Sequence, residues 1–187
     1  MALFAPGTAE QDILSSFPLV GEVDVRRTFK RTVEVVLRER KEIAVWCSAQ
    51  SVCFSMDKEG VVFEKKDPAA KDFVIYDYIE KASVALGQKA LEGDLLSFVV
   101  LFKNSIESSR ILKEEGVEFH SLSLLSDTRI HWKSSQGWQA YTNPKGDASW
   151  QFTKLEAVID KKISSAQRGN LDYIELRFGD QAYIKYE

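Results

Sequence analysis

Residues 20–40 read VGEVDVRRTFKRTVEVVLRER. Two runs rich in β-branched residues, Glu22 to Thr28 and Thr32 to Arg40, flank the break Phe29-Lys30-Arg31, a pattern of strand, turn and strand. In the second run Val33, Val35 and Leu37 fall on one face and Glu34, Val36 and Arg38 on the other, so one face is expected to be buried and the other mixed. Upstream, Ile13, Leu14 and Phe17 share a helical face in a short segment opened by Thr8 or Glu10 and stopped by Pro18. The chain thus opens with a short helix and a hairpin.

Further along, Ala44 to Cys47 and Val52 to Met56 form another extended pair, and Asp57-Lys58-Glu59-Gly60 is a turn into Val61-Val62-Phe63. A Lys- and Asp-rich linker, Glu64 to Lys71, precedes an expected strand at Phe73 to Tyr78. Lys81 to Leu91 is ambiguous between helix and strand. Asp94 is the expected N-cap of a long helix running to Glu115, with Leu95, Phe98, Val99, Phe102, Ile106 and Leu112 near helical spacing and Gly116 at its stop. Val117 to Leu125, Thr128 to Lys133 and Trp138 to Thr142 read as a meander of strands. Asp147 or Ser149 caps a second helix to Ala166, with Phe152, Leu155, Val158, Ile159 and Ile163 on its core face. Leu171 to Phe178 and Ala182 to Tyr186 close the chain as strands around Gly179-Asp180. No period of 20 to 50 residues repeats, which argues against a solenoid.

Composition narrows the function classes. With 44% hydrophobic and 28% charged residues in 187, the chain matches a globular protein with its own core. No apolar run approaches the roughly 20 residues of a membrane span, and Met1 to Pro6 lacks the basic start and apolar stretch of a signal peptide. On this reading the chain is cytosolic or follows a targeting segment outside these residues. A net charge of −3 argues against nucleic-acid binding. The basic cluster Arg26, Arg27, Lys30, Arg31, Arg38, Arg40 and Lys41 reads as a solvated strand face, or as a surface for anionic lipid or an acidic partner.

Catalytic patterns are missing. There is no G-x-S-x-G, P-loop or G-x-G-x-x-G, and Glu114-Glu115 reads as a solvated helix end. His120 and His131 have no cysteine nearby in sequence, which speaks against zinc, and no metal, cofactor or catalytic residue is expected. Cys47 and Cys53 flank a hairpin tip; free thiols are the simpler reading, and a cross-hairpin bridge depends on register. Trp46, Trp132, Trp138 and Trp150, spread over separate elements, read as core and sheet packing. Tyr183 and Tyr186 lie in the last strand, where an open edge could take a partner's strand or be guarded by Lys185 and Glu187.

The series Phe17-Pro18-Leu19-Val20, Val23 to Arg27, Thr32 to Arg40, Ala44-Val45-Trp46 and Asp57 to Gly60, with the closing Ile174-Glu175-Leu176-Arg177-Phe178, resembles the extracytoplasmic part of the FtsQ/DivIB cell-division family. Glu42 stands where that family usually has Pro. The resemblance implies an α+β fold: a partial POTRA-like unit (residues 1–47), then a β domain (residues 48–187) with a curved, mostly antiparallel sheet and two helices. It implies a non-enzymatic scaffold, anchored in the cytoplasmic membrane by one span outside these residues and sited at the septum. Its partners would be FtsB- and FtsL-type proteins, and its role control of septal peptidoglycan synthesis. The implied site is the last strand, where a partner adds a strand along Gln181, Ala182, Tyr183, Ile184, Lys185 and Tyr186. Arg177 would pair with an acidic group there, and Phe178 and Tyr186 would be apolar anchors. A POTRA-bearing protein that assists export or outer-membrane assembly is the alternative.

Overall fold

The computed structural model describes residues 6–29, 32–79 and 83–187. Helix α1 (Pro6–Ser16) packs on strand β1 (Val20–Thr28). β1 pairs antiparallel with β2 (Thr32–Glu39) as a separate two-stranded sheet. Lys30 and Arg31 of the expected turn lie outside the described residues. The burial expectation for β2 fails: every residue of the strand is exposed on both faces. Among the described residues α1 is the element that covers this sheet, and it sits over β1, where Val20 and Val25 are buried.

The second sheet has nine strands in the order β11-β10-β9-β8-β7-β6-β3-β4-β5. They are β3 (Ala44–Ser48), β4 (Cys53–Met56), β5 (Val62–Lys65), β6 (Val74–Asp77), β7 (Phe119–Ser126), β8 (Arg129–Ser134), β9 (Gln139–Thr142), β10 (Leu171–Glu175) and β11 (Tyr183–Tyr186). Five neighbouring pairs are antiparallel; β3·β6, β6·β7 and β9·β10 are parallel. The mixed fold is α+β, with a curved and mostly antiparallel sheet. β3 belongs to this larger sheet although residue 47 closes the unit expected from sequence, so the hairpin sheet ends at Glu39.

Parallel neighbours need crossovers, and helices supply two of them. α2 (Gly93–Ser108) and α3 (Arg110–Glu114) link β6 to β7, and α4 (Ala148–Lys161) links β9 to β10. The single long helix expected from Asp94 is therefore two. Ser109 is extended at φ −64°, ψ 121°, its hydroxyl accepts from the Leu112 N–H, and it caps α3 while ending α2. The first cap is Glu92 rather than Asp94, and Asp147 caps α4 by accepting from the Trp150 N–H.

α2 packs on α4 over one sheet face. Beneath them one core joins Trp46, Trp132, Trp138, Phe102, Leu122, Leu155 and Ile174, each fully buried. Burying such a side chain stabilises the fold by about 2–3 kcal/mol. Trp150 departs from expectation, being exposed on the outer side of α4. Arg168, buried in a 3-10 turn (Ser165–Asn170), donates to the Ile159, Ile163 and Glu115 carbonyls and to the Glu115 carboxylate, tying the ends of α3 and α4 together.

Cys47 and Cys53 face each other across β3 and β4 and are joined by a disulfide, not left as free thiols. The register puts their Cα atoms 4.1 Å apart. Gly60 has φ +79°, and a Cβ there would meet the Leu91 carbonyl oxygen at 2.0 Å, so the Asp57–Gly60 turn admits only glycine.

Candidate functional site

The nine-stranded sheet has two ends, and the chain treats them differently. At the β5 end, residues of the segment that sequence left unassigned run alongside: Gly87 N–H donates to Val62 O (2.7 Å), Val62 N–H to Gln88 O (2.9 Å) and Ala90 N–H to Gly60 O (2.8 Å). At the other end β11 pairs with β10 alone among the described residues. Glu187 N–H donates to Asn170 O (2.9 Å) and so points toward β10. Alternation then turns the backbone groups of Tyr183 and Lys185 inward and those of Ile184 and Tyr186 outward, as an unused ladder.

Side chains follow the other alternation. Ala182 and Ile184 pack on the helix-covered core. Tyr183 and Lys185 lie on the opposite, open face, where Tyr183 meets Phe178 edge-on at 6.3 Å and donates its hydroxyl to Gln181 (2.6 Å). Lys185 binds Asp172 (2.8 Å), which raises its pKa, and lies over the Tyr173 ring. Phe178, Tyr183 and Tyr186 are 54%, 51% and 40% exposed; the first two pack together, and alternation puts Tyr186 on the other face of the strand.

Arg177 is placed differently from the residues around it. Its Nε and Nη2 donate to the two carboxylate oxygens of Glu175 at 2.8 and 2.5 Å, while its guanidinium lies 5.3 Å from the Phe178 ring. Burial opposes ionisation of Glu175, but bonds from the Arg177 side chain and backbone N–H outweigh it and hold this carboxyl below its usual range. The fork orients Arg177 and leaves it half-buried at the rim of the edge.

Sequence reasoning missed the residue that shapes the approach to β11. Lys154 lies in the apolar stripe of α4 yet sends its ammonium to the Leu176, Gly179 and Gln181 carbonyls at 2.6, 2.8 and 3.3 Å. These three acceptors span the connection from β10 to β11. Burial lowers the Lys154 pKa. The signal was available as a lysine one residue before Leu155, at core spacing on an otherwise apolar face.

A stacked series crosses the open face beside the edge. His131 lies on Tyr141 (3.7 Å between ring centroids) and Tyr141 on Tyr173 (4.6 Å), on three successive strands. Arg129 donates to His131 Nε2 (2.8 Å), so that nitrogen carries no proton; burial and this cation push the His131 pKa down to about 4. Among the described residues no cluster of three metal-ligating side chains occurs, and no helix is long and apolar enough to cross a membrane.

The sequence is similar to the cell division protein FtsQ of Geobacter sp. (strain M21), with 28% identity over 181 aligned residues, covering 92% of this chain and 61% of that protein. The chain therefore spans about three-fifths of that relative's length. No family model matches the sequence.

Proposed function

We propose that this chain is the extracytoplasmic part of an FtsQ/DivIB-type cell-division protein, a non-enzymatic scaffold that binds its partner by strand addition to β11. The observation that carries the reading is the open β11 edge: residues 87–90 bond to Gly60 and Val62 at one end of the sheet, while at the other, among the described residues, β11 pairs with β10 alone, flanked by exposed Phe178, Tyr183 and Tyr186. Main-chain bonds to the outward groups of Ile184 and Tyr186 supply affinity, and the flanking rings supply anchors. The similarity to a cell division protein supports the division role. On this reading the partner is an FtsB-type tail acting with an FtsL-type protein, and the complex helps control septal peptidoglycan synthesis.

The Cys47–Cys53 disulfide supports a place outside the cytoplasm, because such bonds persist in oxidising compartments. Residues 1–47 then correspond to part of a POTRA-type unit and 48–187 to the β domain, with β3 contributed to the larger sheet from the first segment. Anchoring in the cytoplasmic membrane falls to a span beyond these residues.

Titration of the domain with an FtsB-type tail peptide tests the proposal. Tyr186→Lys keeps the outward N–H but removes the anchor, and affinity is expected to fall about tenfold. Tyr186→Pro removes both and abolishes binding with the circular dichroism spectrum unchanged. Equal affinity of both variants and the wild type rejects the site.

A further inference from the structure

Trp46, Trp132 and Trp138 are fully buried, whereas Trp150, in the first turn of α4, is 46% exposed. Its neighbours fix where on the helix it stands. On one flank of α4 the Glu156 carboxylate accepts from the Ser109 hydroxyl at 2.5 Å, so that flank faces α2 and α3. Lys154 lies about 200° round the helix from Glu156 and reaches the Leu176, Gly179 and Gln181 carbonyls on the other flank, at the connection from β10 to β11. Trp150, one turn before Lys154, shares this second flank. The indole thus stands on the side of the helix layer where the sheet ends in β11.

A strand added to β11 directs alternate side chains to the two faces of the sheet. Those on the open face meet Phe178 and Tyr183. Those on the helix face stand beside Ala182, Ile184 and Tyr186, next to the flank of α4 that carries Trp150. The Lys154 ammonium is already held by three carbonyls, so it is not offered to a partner as a charge. What remains on this side is the indole, the aliphatic Ala182 and Ile184, and the Tyr186 ring.

We propose that Trp150 anchors the helix side of the strand-addition site, packing on an apolar side chain that the partner's strand directs toward α4. This anchor presupposes strand addition to β11 and adds a specificity to it. The partner segment is apolar at alternate positions on the side that faces α4, because an isolated polar or charged group placed against the indole and Ile184 would lose its hydration without a partner. Tryptophan is enriched among the residues that dominate binding energy, and a ring left half-covered in the free protein has the most surface to gain.

Fluorescence and titration with the FtsB-type tail peptide test this. The other three tryptophans are buried before binding, so the peptide is expected to shift the emission to shorter wavelength through Trp150, and Trp150→Phe to abolish the shift. Trp150→Ala, which suits a helix, is expected to weaken binding about tenfold or more. Alanine at one of the two sets of alternate peptide positions is expected to couple to Trp150→Ala in a double-mutant cycle, the combined loss falling short of the sum, and alanine at the other set to add in full. Unchanged affinity of Trp150→Ala, an emission that does not move, or full additivity for both sets overturns the anchor. If Tyr186→Pro abolishes binding in that case, strand addition stands and Trp150 alone is misassigned. A wild type that does not bind the peptide, or that binds it no better than Tyr186→Pro does, overturns both.

Discussion

His131 illustrates how a side chain's neighbours set its chemistry. Burial against Tyr141 comes first and Arg129 at its Nε2 second in disfavouring its charged form, and with Arg177 nearby they outweigh the opposing effects of Gln139 and Glu175. With a folded pKa of about 4 against 6.5 for the free side chain, the unfolded chain binds the extra proton between these values. The resulting stability is fully present above pH 6.5 and is lost as pH falls to 4. His131→Gln is therefore expected to flatten the fall in thermal midpoint between pH 6.5 and 4, measured by calorimetry; parallel curves would contradict this. None of it was legible in the sequence, where His131 was one histidine in an alternating strand. The stack depends on the register that sets β8 beside β9 and β9 beside β10, and such pairings join residues distant in the chain. Arg177 teaches a similar point: its position after Leu176 suggested a cation offered to a partner, whereas Glu175 two residues back already holds the Nε–Nη2 edge of its guanidinium.

Strands and helices were more legible than their surroundings, because hydrophobic period and turn residues are local signals. The strands β3 to β11 appear where the alternation placed them, within a few residues at their ends. Two failures share a cause, a local pattern overruled by what lies beside it. The apolar spacing from Leu95 to Leu112 runs on past Ser109, but a serine that caps the next turn interrupts the helix. In β2 the apolar alternation implied a buried face, yet burial requires a second layer, and α1 covers only β1. The connection from β10 to β11 shows the reverse, an element whose geometry depends on one distant side chain. Lys154→Met keeps the apolar stem and leaves the Leu176, Gly179 and Gln181 carbonyls without their donor. Amide exchange in β11 is expected to accelerate by about tenfold or more, with α4 protected as before. Unchanged exchange in β11 would show that the connection holds its shape without the ammonium.

At the scale of the whole molecule, among the described residues, the two sheets are linked by polar contacts around Arg40. Its backbone N–H donates to Leu19 O (2.8 Å), its Nε to Pro18 O (3.0 Å), and its Nη1 to the buried Asp57 carboxylate (2.5 Å). Removing one partner of such a pair strands a buried charge. Arg40→Met is thus expected to destabilise the protein by about 3 kcal/mol in urea unfolding, and a loss below about 0.5 kcal/mol, the usual range of surface substitutions, would mean that the joint contributes little. The same architecture leaves the β11 edge at the far end of the larger sheet, away from the hairpin. Strand addition there makes a residue-specific demand that the central claim must meet. Hydrogen exchange of the domain, with and without a saturating FtsB-type tail peptide, reads it directly. Binding is expected to protect the Ile184 and Tyr186 amides, which face outward, while the amides of Tyr183 and Lys185 start protected by β10. Protection confined to β5 or to the helix-covered face, with Ile184 and Tyr186 still exchanging freely, would contradict docking on this edge.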